Sequence, residues 1–144
     1  MPRAPKRAPE GRAGSFHVFL PGETLLWVLS ETERGLVAGV LMSEGSFGGD
    51  GRQPHVILRK HVRHESLLRW LVERFPRSRL YGPYHHGERS YFQWVARGPA
   101  LVQDVLPVLD ELVVPELDAH AAGRLREMRE RYAVYIARVQ ERAP

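Results

Sequence analysis

The chain has 144 residues and no cysteine, is 43% hydrophobic and carries a formal net charge of +4. That length suits one domain with its own core, and the missing cysteines exclude disulfides and Cys-ligated zinc. No apolar run is long enough for a membrane span, and MPRAPKRAPEGRAG at the start is basic without the apolar stretch of a secretory signal, so a cytoplasmic location is expected. Of 21 basic residues only Lys6 and Lys60 are lysines, and arginine suits bidentate contacts to phosphate and guanine.

In chain order, residues 1–14 read as a basic arm without fixed structure, rich in Pro, Ala, Gly and Arg. That leaves 15–144 as a single domain. The apolar stretch 16–29 holds Pro21-Gly22, a turn before a short helix or strand. SETE at 30–33 is a capping box, so a helix runs over Glu31–Ser43 and stops at Gly45. Two strands follow, 46–52 and 55–63, with Gln53-Pro54 at the turn. In the second, Val56, Leu58 and Val62 point one way, and His55, Ile57, Arg59, His61 and Arg63 the other. A helix over 65–75 carries Leu67, Leu68, Leu71, Val72 and Phe75 on one stripe and ends at Pro76. A second hairpin pairs 78–84 with 89–96 through an HHGE turn, which makes His85-His86 a loop pair. Gly98-Pro99 opens a helix with Leu101, Val105, Leu106, Leu109 and Leu112, kinked at Pro107. Asp118 caps one long helix bearing Leu125, Met128, Tyr132, Tyr135 and Val139.

The order α-ββ-α-ββ-α predicts an α+β fold: two hairpins form one four-stranded antiparallel sheet with helices on one face. The other face is polar and basic. His55, Arg59, His61 and Arg63 share one strand, Arg52 lies on its neighbour, and Arg79 and Arg89 lie on the other hairpin. A basic sheet can lie along a DNA groove; an ordinary solvated face is the plain alternative. His61, His64 and Glu65 sit at a strand–helix junction without zincin spacing. Trp70, Phe92 and Trp94 read as packing residues.

Glu44 is a puzzle. It ends a helix, where partial negative charge favours Lys or Arg. Gly35, Gly39 and Ser43 recur at spacing four, a line along which another helix can approach closely. A two-fold axis there would set two copies of Glu44 side by side. A divalent cation such as Mg²⁺ would relieve their repulsion, taking carboxylate, carbonyl, phosphate and water oxygens.

VAGVLMSEG, residues 37–45, followed by Ser46-Phe47, resembles the nine-residue signature of the LAGLIDADG homing endonucleases. The αββαββα order over roughly 31–135 is similar to that family's core. Met42 departs from the signature's first Asp, a capping position. The resemblance implies that Glu44 binds the catalytic Mg²⁺, that the Ser43 carbonyl joins the coordination, and that Gly39 is the close-packing glycine. One signature per chain implies a homodimer, with Gly35, Gly39 and Ser43 at its interface. Its two sheets would form a saddle over a long, roughly palindromic site in double-stranded DNA, with both strands cut by metal-assisted hydrolysis.

His64 stands near the place of the family's water-organising Gln, as a second catalytic residue. Arg52, His55, Arg59, His61, Arg63, Arg79 and Arg89 are the expected groove contacts, joined by Asp50 and Gln93. No membrane or small-molecule substrate is expected. The family's basic residue after the second hairpin, typically Lys, has no counterpart. Lys60 is the last lysine, and VVPELDAH offers only acids and His120, with Arg97 and Arg124 left for the role. Two alternatives stay open: a non-cleaving DNA-binding regulator with the same saddle, and a protein–protein module.

Overall fold

The structure, a computed structural model, describes residues 16–19 and 25–142, with side chains from Leu29 onward. The basic arm and the Pro21-Gly22 turn lie outside the described residues. The stretch left open between helix and strand is an antiparallel hairpin, β1 (Phe16–Phe19) with β2 (Leu25–Val28), forming a separate two-stranded sheet.

The expected α+β architecture follows. Helix α1 (Glu31–Glu44) leads into β3 (Ser46–Gly49) and β4 (Pro54–His61). Helix α2 (Glu65–Arg74) leads into β5 (Arg79–His86) and β6 (Arg89–Arg97). The antiparallel strand order is β3-β4-β6-β5, so the two hairpins meet along β4 and β6. Val56, Leu58, Phe92, Trp94 and Ala96 face the helices and join Val37, Leu41, Leu68, Leu71, Leu101 and Leu109 in one core. Trp94 is fully buried there, and its indole N–H donates to Ser78 Oγ at 2.8 Å. The Ser78 hydroxyl in turn donates to the Phe75 carbonyl at 2.6 Å, so this buried polar chain is satisfied.

Several expected boundaries move, each for a local reason. Strand β3 ends at Gly49 rather than residue 52, because Asp50 Oδ1 accepts the N–H groups of Arg52 and Gln53, both at 2.8 Å, and closes a turn. Strand β4 ends at His61; Val62–His64 form a single 3₁₀ turn, so Arg63 and Val62 leave the strand. His85 and His86 belong to β5, and the turn shrinks to Gly87-Glu88, with Gly87 at φ +62°. The helix after Gly98 opens as wide π-type turns over Ala100–Val105 before α3 (Leu106–Leu112). There the Leu106 N–H reaches five residues back to the Leu101 carbonyl. This irregularity is the form the disturbance near Pro107 takes, since Pro lacks an N–H and crowds the preceding turn.

The long C-terminal helix is in fact two, α4 (Ala119–Arg131) and α5 (Ala133–Arg142), broken at Tyr132. Tyr132 is 4% exposed, and its hydroxyl accepts the Gly51 N–H at 2.9 Å. Its ring fills the space over Gly49, where a Cβ would come within 2.3 Å of it. Gly49→Val is therefore expected to displace Tyr132 and cost about 3 kcal/mol, from overpacking plus one lost hydrogen bond. Urea unfolding would show it as a lower midpoint at unchanged slope.

Candidate functional site

Helix α1 is set by both ends. Ser30 Oγ accepts the Glu33 N–H at 3.1 Å, and Glu33 Oε1 accepts the Ser30 N–H at 3.0 Å, the reciprocal capping box. Glu33 is 8% exposed, and its other oxygen takes Arg74 Nε of α2 at 2.6 Å. At the far end the Gly45 N–H donates to the Leu41 carbonyl at 2.9 Å. A Cβ on Gly45 would lie 2.6 Å from that carbonyl oxygen, so only glycine lets β3 leave the helix so abruptly.

One face of α1 buries Val37, Ala38 and Leu41. The other holds Gly35, Gly39 and Ser43 beside Leu36, which is 48% exposed. A Cβ at Gly35 or Gly39 would meet nothing within 4 Å among the described residues, so packing against those residues does not account for either glycine. The Ser43 hydroxyl donates to the Gly39 carbonyl.

This open face ends in a cleft of about 470 Å³ that brings together Ser43, Glu44, His64 and Lys60. Three of these were singled out in the sequence; Lys60 was not. Its ammonium lies 2.7 Å from Glu44 Oε2. The signal was present in the alternation: Lys60 continues the inward row Val56, Leu58. The last turn of α1 holds no basic residue of its own, and Lys60 supplies from the sheet the positive charge its C-terminus lacks.

The sheet's outward face reads off the register. Its successive rows are Gly48–His55–Arg97, then Ser46–Ile57–Val95–Arg79, then Arg59–Gln93–Tyr81, then His61–Tyr91–Tyr84, with His86–Arg89 at the hairpin end. His55, Arg59, His61, Arg79, Arg89 and Gln93 thus share a face, and Arg59 Nε donates to Gln93 Oε1 at 3.3 Å. Arg52 stands instead in the exposed turn after β3, where the turn's N–H donors hold the Asp50 carboxyl below the usual range. Arg63 sits in the 3₁₀ turn, its Nε donating to His61 Nδ1 at 3.2 Å. His120 and Arg124 lie on α4, where Arg124 Nη2 donates to the Phe47 carbonyl of β3 at 3.5 Å.

Three tyrosines on this face were missed. Tyr81 and Tyr84 are exposed, and Tyr84 packs on Tyr91 with ring centroids 5.5 Å apart. A register shift between Tyr81 and Tyr84 turns both outward, although residues three apart in a regular strand face opposite ways.

Burial, then the positive charge of Arg97, holds the His55 imidazole below its ordinary value, against the pull of Asp50. The unfolded chain therefore takes up a proton more readily than the folded one. Stability is full above about pH 6.5 and declines as pH falls through 6.5 toward the lowered folded value. His55→Gln is expected to flatten that decline in denaturation midpoints taken from about pH 7.5 to 5.5.

No family model matches the chain, and no curated protein sequence matches it. Among solved structures it is similar to the group I intron-encoded homing endonuclease I-CeuI complexed with DNA, at 16% identity and a TM-score of 0.54, over 70% of this chain and 54% of that one. This is a homing-endonuclease-like fold. The chain spans about half the length of that neighbour. In the homing-endonuclease-like fold of this chain, no helix among the described residues is long and apolar enough to cross a membrane.

The donors at the end of α1 suit a hard cation such as Mg²⁺, which takes carboxylate, carbonyl and water oxygens. Glu44 is the single carboxylate lining the cleft. Among the described residues no group of three His, Asp or Glu could hold a metal.

Proposed function

We propose that the chain is a homodimeric, site-specific DNA endonuclease. Two copies pack along the Gly35–Gly39–Ser43 line and set their outward faces, as one saddle, on double-stranded DNA. The reading rests on one observation: α1 keeps an open small-residue face that ends at a half-exposed carboxylate, two residues before the outward row that begins at Ser46. A pair of glycines that no described residue covers, beside the exposed Leu36, suits a second helix.

The chain's own residues divide the task. Arg59, Arg79 and Arg89 meet phosphates and guanine edges, and His55, His61 and Gln93 add shorter-range contacts. Asp50 fixes the turn that presents Arg52. Glu44, with the Ser43 carbonyl, is the side that holds Mg²⁺, which when bound supplies Lewis-acid activation of water and phosphate. His64, in the same cleft, orients the attacking water.

A second reading, a DNA-binding regulator that does not cut, is favoured by the Lys60 ammonium already seated on Glu44. A screen of a randomised duplex library separates the two. Double-strand cuts at one site in Mg²⁺, with binding alone in Ca²⁺, support the endonuclease. Selective binding without cuts in either ion supports the regulator, and no selective binding removes both.

A further inference from the structure

Lys60 and Glu44 are each badly placed alone. Lys60 projects from β4 in the row of Val56 and Leu58, both 0% exposed, and its own side chain is 17% exposed. Glu44 stands among the unpaired carbonyls of a helix end. Each makes its one ion pair among the described residues with the other. The pairing is one-sided: Oε2 takes the ammonium, while Glu44 remains 48% exposed. A lysine makes such a contact as a point charge on a flexible stem, without the two-pronged grip of arginine. The cleft of about 470 Å³, floored by Gly39 and Ser43, leaves that ammonium room to turn.

We propose that Lys60 is an exchangeable counter-ion for Glu44, a positioning residue that holds the carboxylate in the free protein and yields it to a divalent cation when DNA arrives. The inference rests on the reading of Glu44 as a cation ligand. An incoming phosphate gives the displaced ammonium a new partner, so the exchange conserves paired charge. In the free dimer two Lys60 offset two Glu44, so the subunits associate without metal. The device keeps the cation site weak until a duplex is in place.

The test is Ca²⁺ titration of the full, DNA-free chain by calorimetry, in wild type, Lys60→Met, Lys60→Arg, Glu44→Gln and the Lys60→Met/Glu44→Gln double variant. Lys60→Met keeps the buried stem and removes the charge, so Ca²⁺ should bind roughly fivefold tighter than to wild type. Lys60→Arg, with its stronger grip, should bind Ca²⁺ more weakly than wild type, and it carries the test if Lys60→Met does not fold. Loss of the gain in the double variant completes the expected pattern. Ca²⁺ binding that depends on Glu44 but is unmoved by either Lys60 change overturns the counter-ion role alone. Ca²⁺ binding indifferent to Glu44→Gln in both backgrounds overturns Glu44 as ligand, and the exchange with it.

Discussion

Gly39→Arg is expected to yield a well-folded monomer that no longer holds its DNA site. A Cβ at Gly39 meets nothing within 4 Å among the described residues, so the side chain enters space that none of them fills. Replacing glycine inside a helix also adds up to about 0.8 kcal/mol of helix propensity, so the monomer should become more stable. Across a two-fold axis the same change sets two long cations where two helices must touch. Each half would then bind its half-site alone, with a loss of about 100-fold or more in affinity for the full site. Sedimentation and a gel-shift titration read both effects. A destabilised variant that stays dimeric would mean that Gly39 serves packing within the chain instead.

Glu44→Ala is expected to lower the single-turnover cutting rate by about 1000-fold or more while leaving duplex binding in place. The carboxylate is half exposed and its partner is Lys60, so its removal leaves the core untouched and frees a positive charge beside the DNA. Binding measured without divalent cation should therefore hold or tighten modestly. Cutting at the wild-type rate would remove Glu44 from the chemistry. Joint loss of cutting and binding would make its role structural.

The parts of this fold that were legible in the sequence are those set by local chemistry. The capping box starts α1, period-two alternation separates the faces of β4, and Gly45 stops α1 where no Cβ fits. Those that were not depend on contacts between distant residues or on breaks of period. Nothing local pairs Glu33 with Arg74, or turns Tyr132 onto Gly49 and so divides the last helix. Tyr81 and Tyr84 escape simple alternation because the strand slips between them. Alternation marks Lys60 as an inward residue but names no partner for it. Its meeting with Glu44 needed the geometry of helix and sheet together. Arg52 and Arg63 fall off the strands for the same reason the boundaries moved: side-chain bonds from Asp50 and His61 close turns earlier than the apolar pattern shows.

The central claim is that two chains together lay their outward, arginine-bearing sheet faces on one duplex. The most direct measurement is selection of bound duplexes from a randomised library in Ca²⁺, read by sequencing, with the stoichiometry of the selected complex. The account predicts an enriched, two-fold-related site held by two chains, with affinity that falls steeply as salt rises. An absence of any enriched sequence, or one chain seated on an asymmetric site, would contradict it.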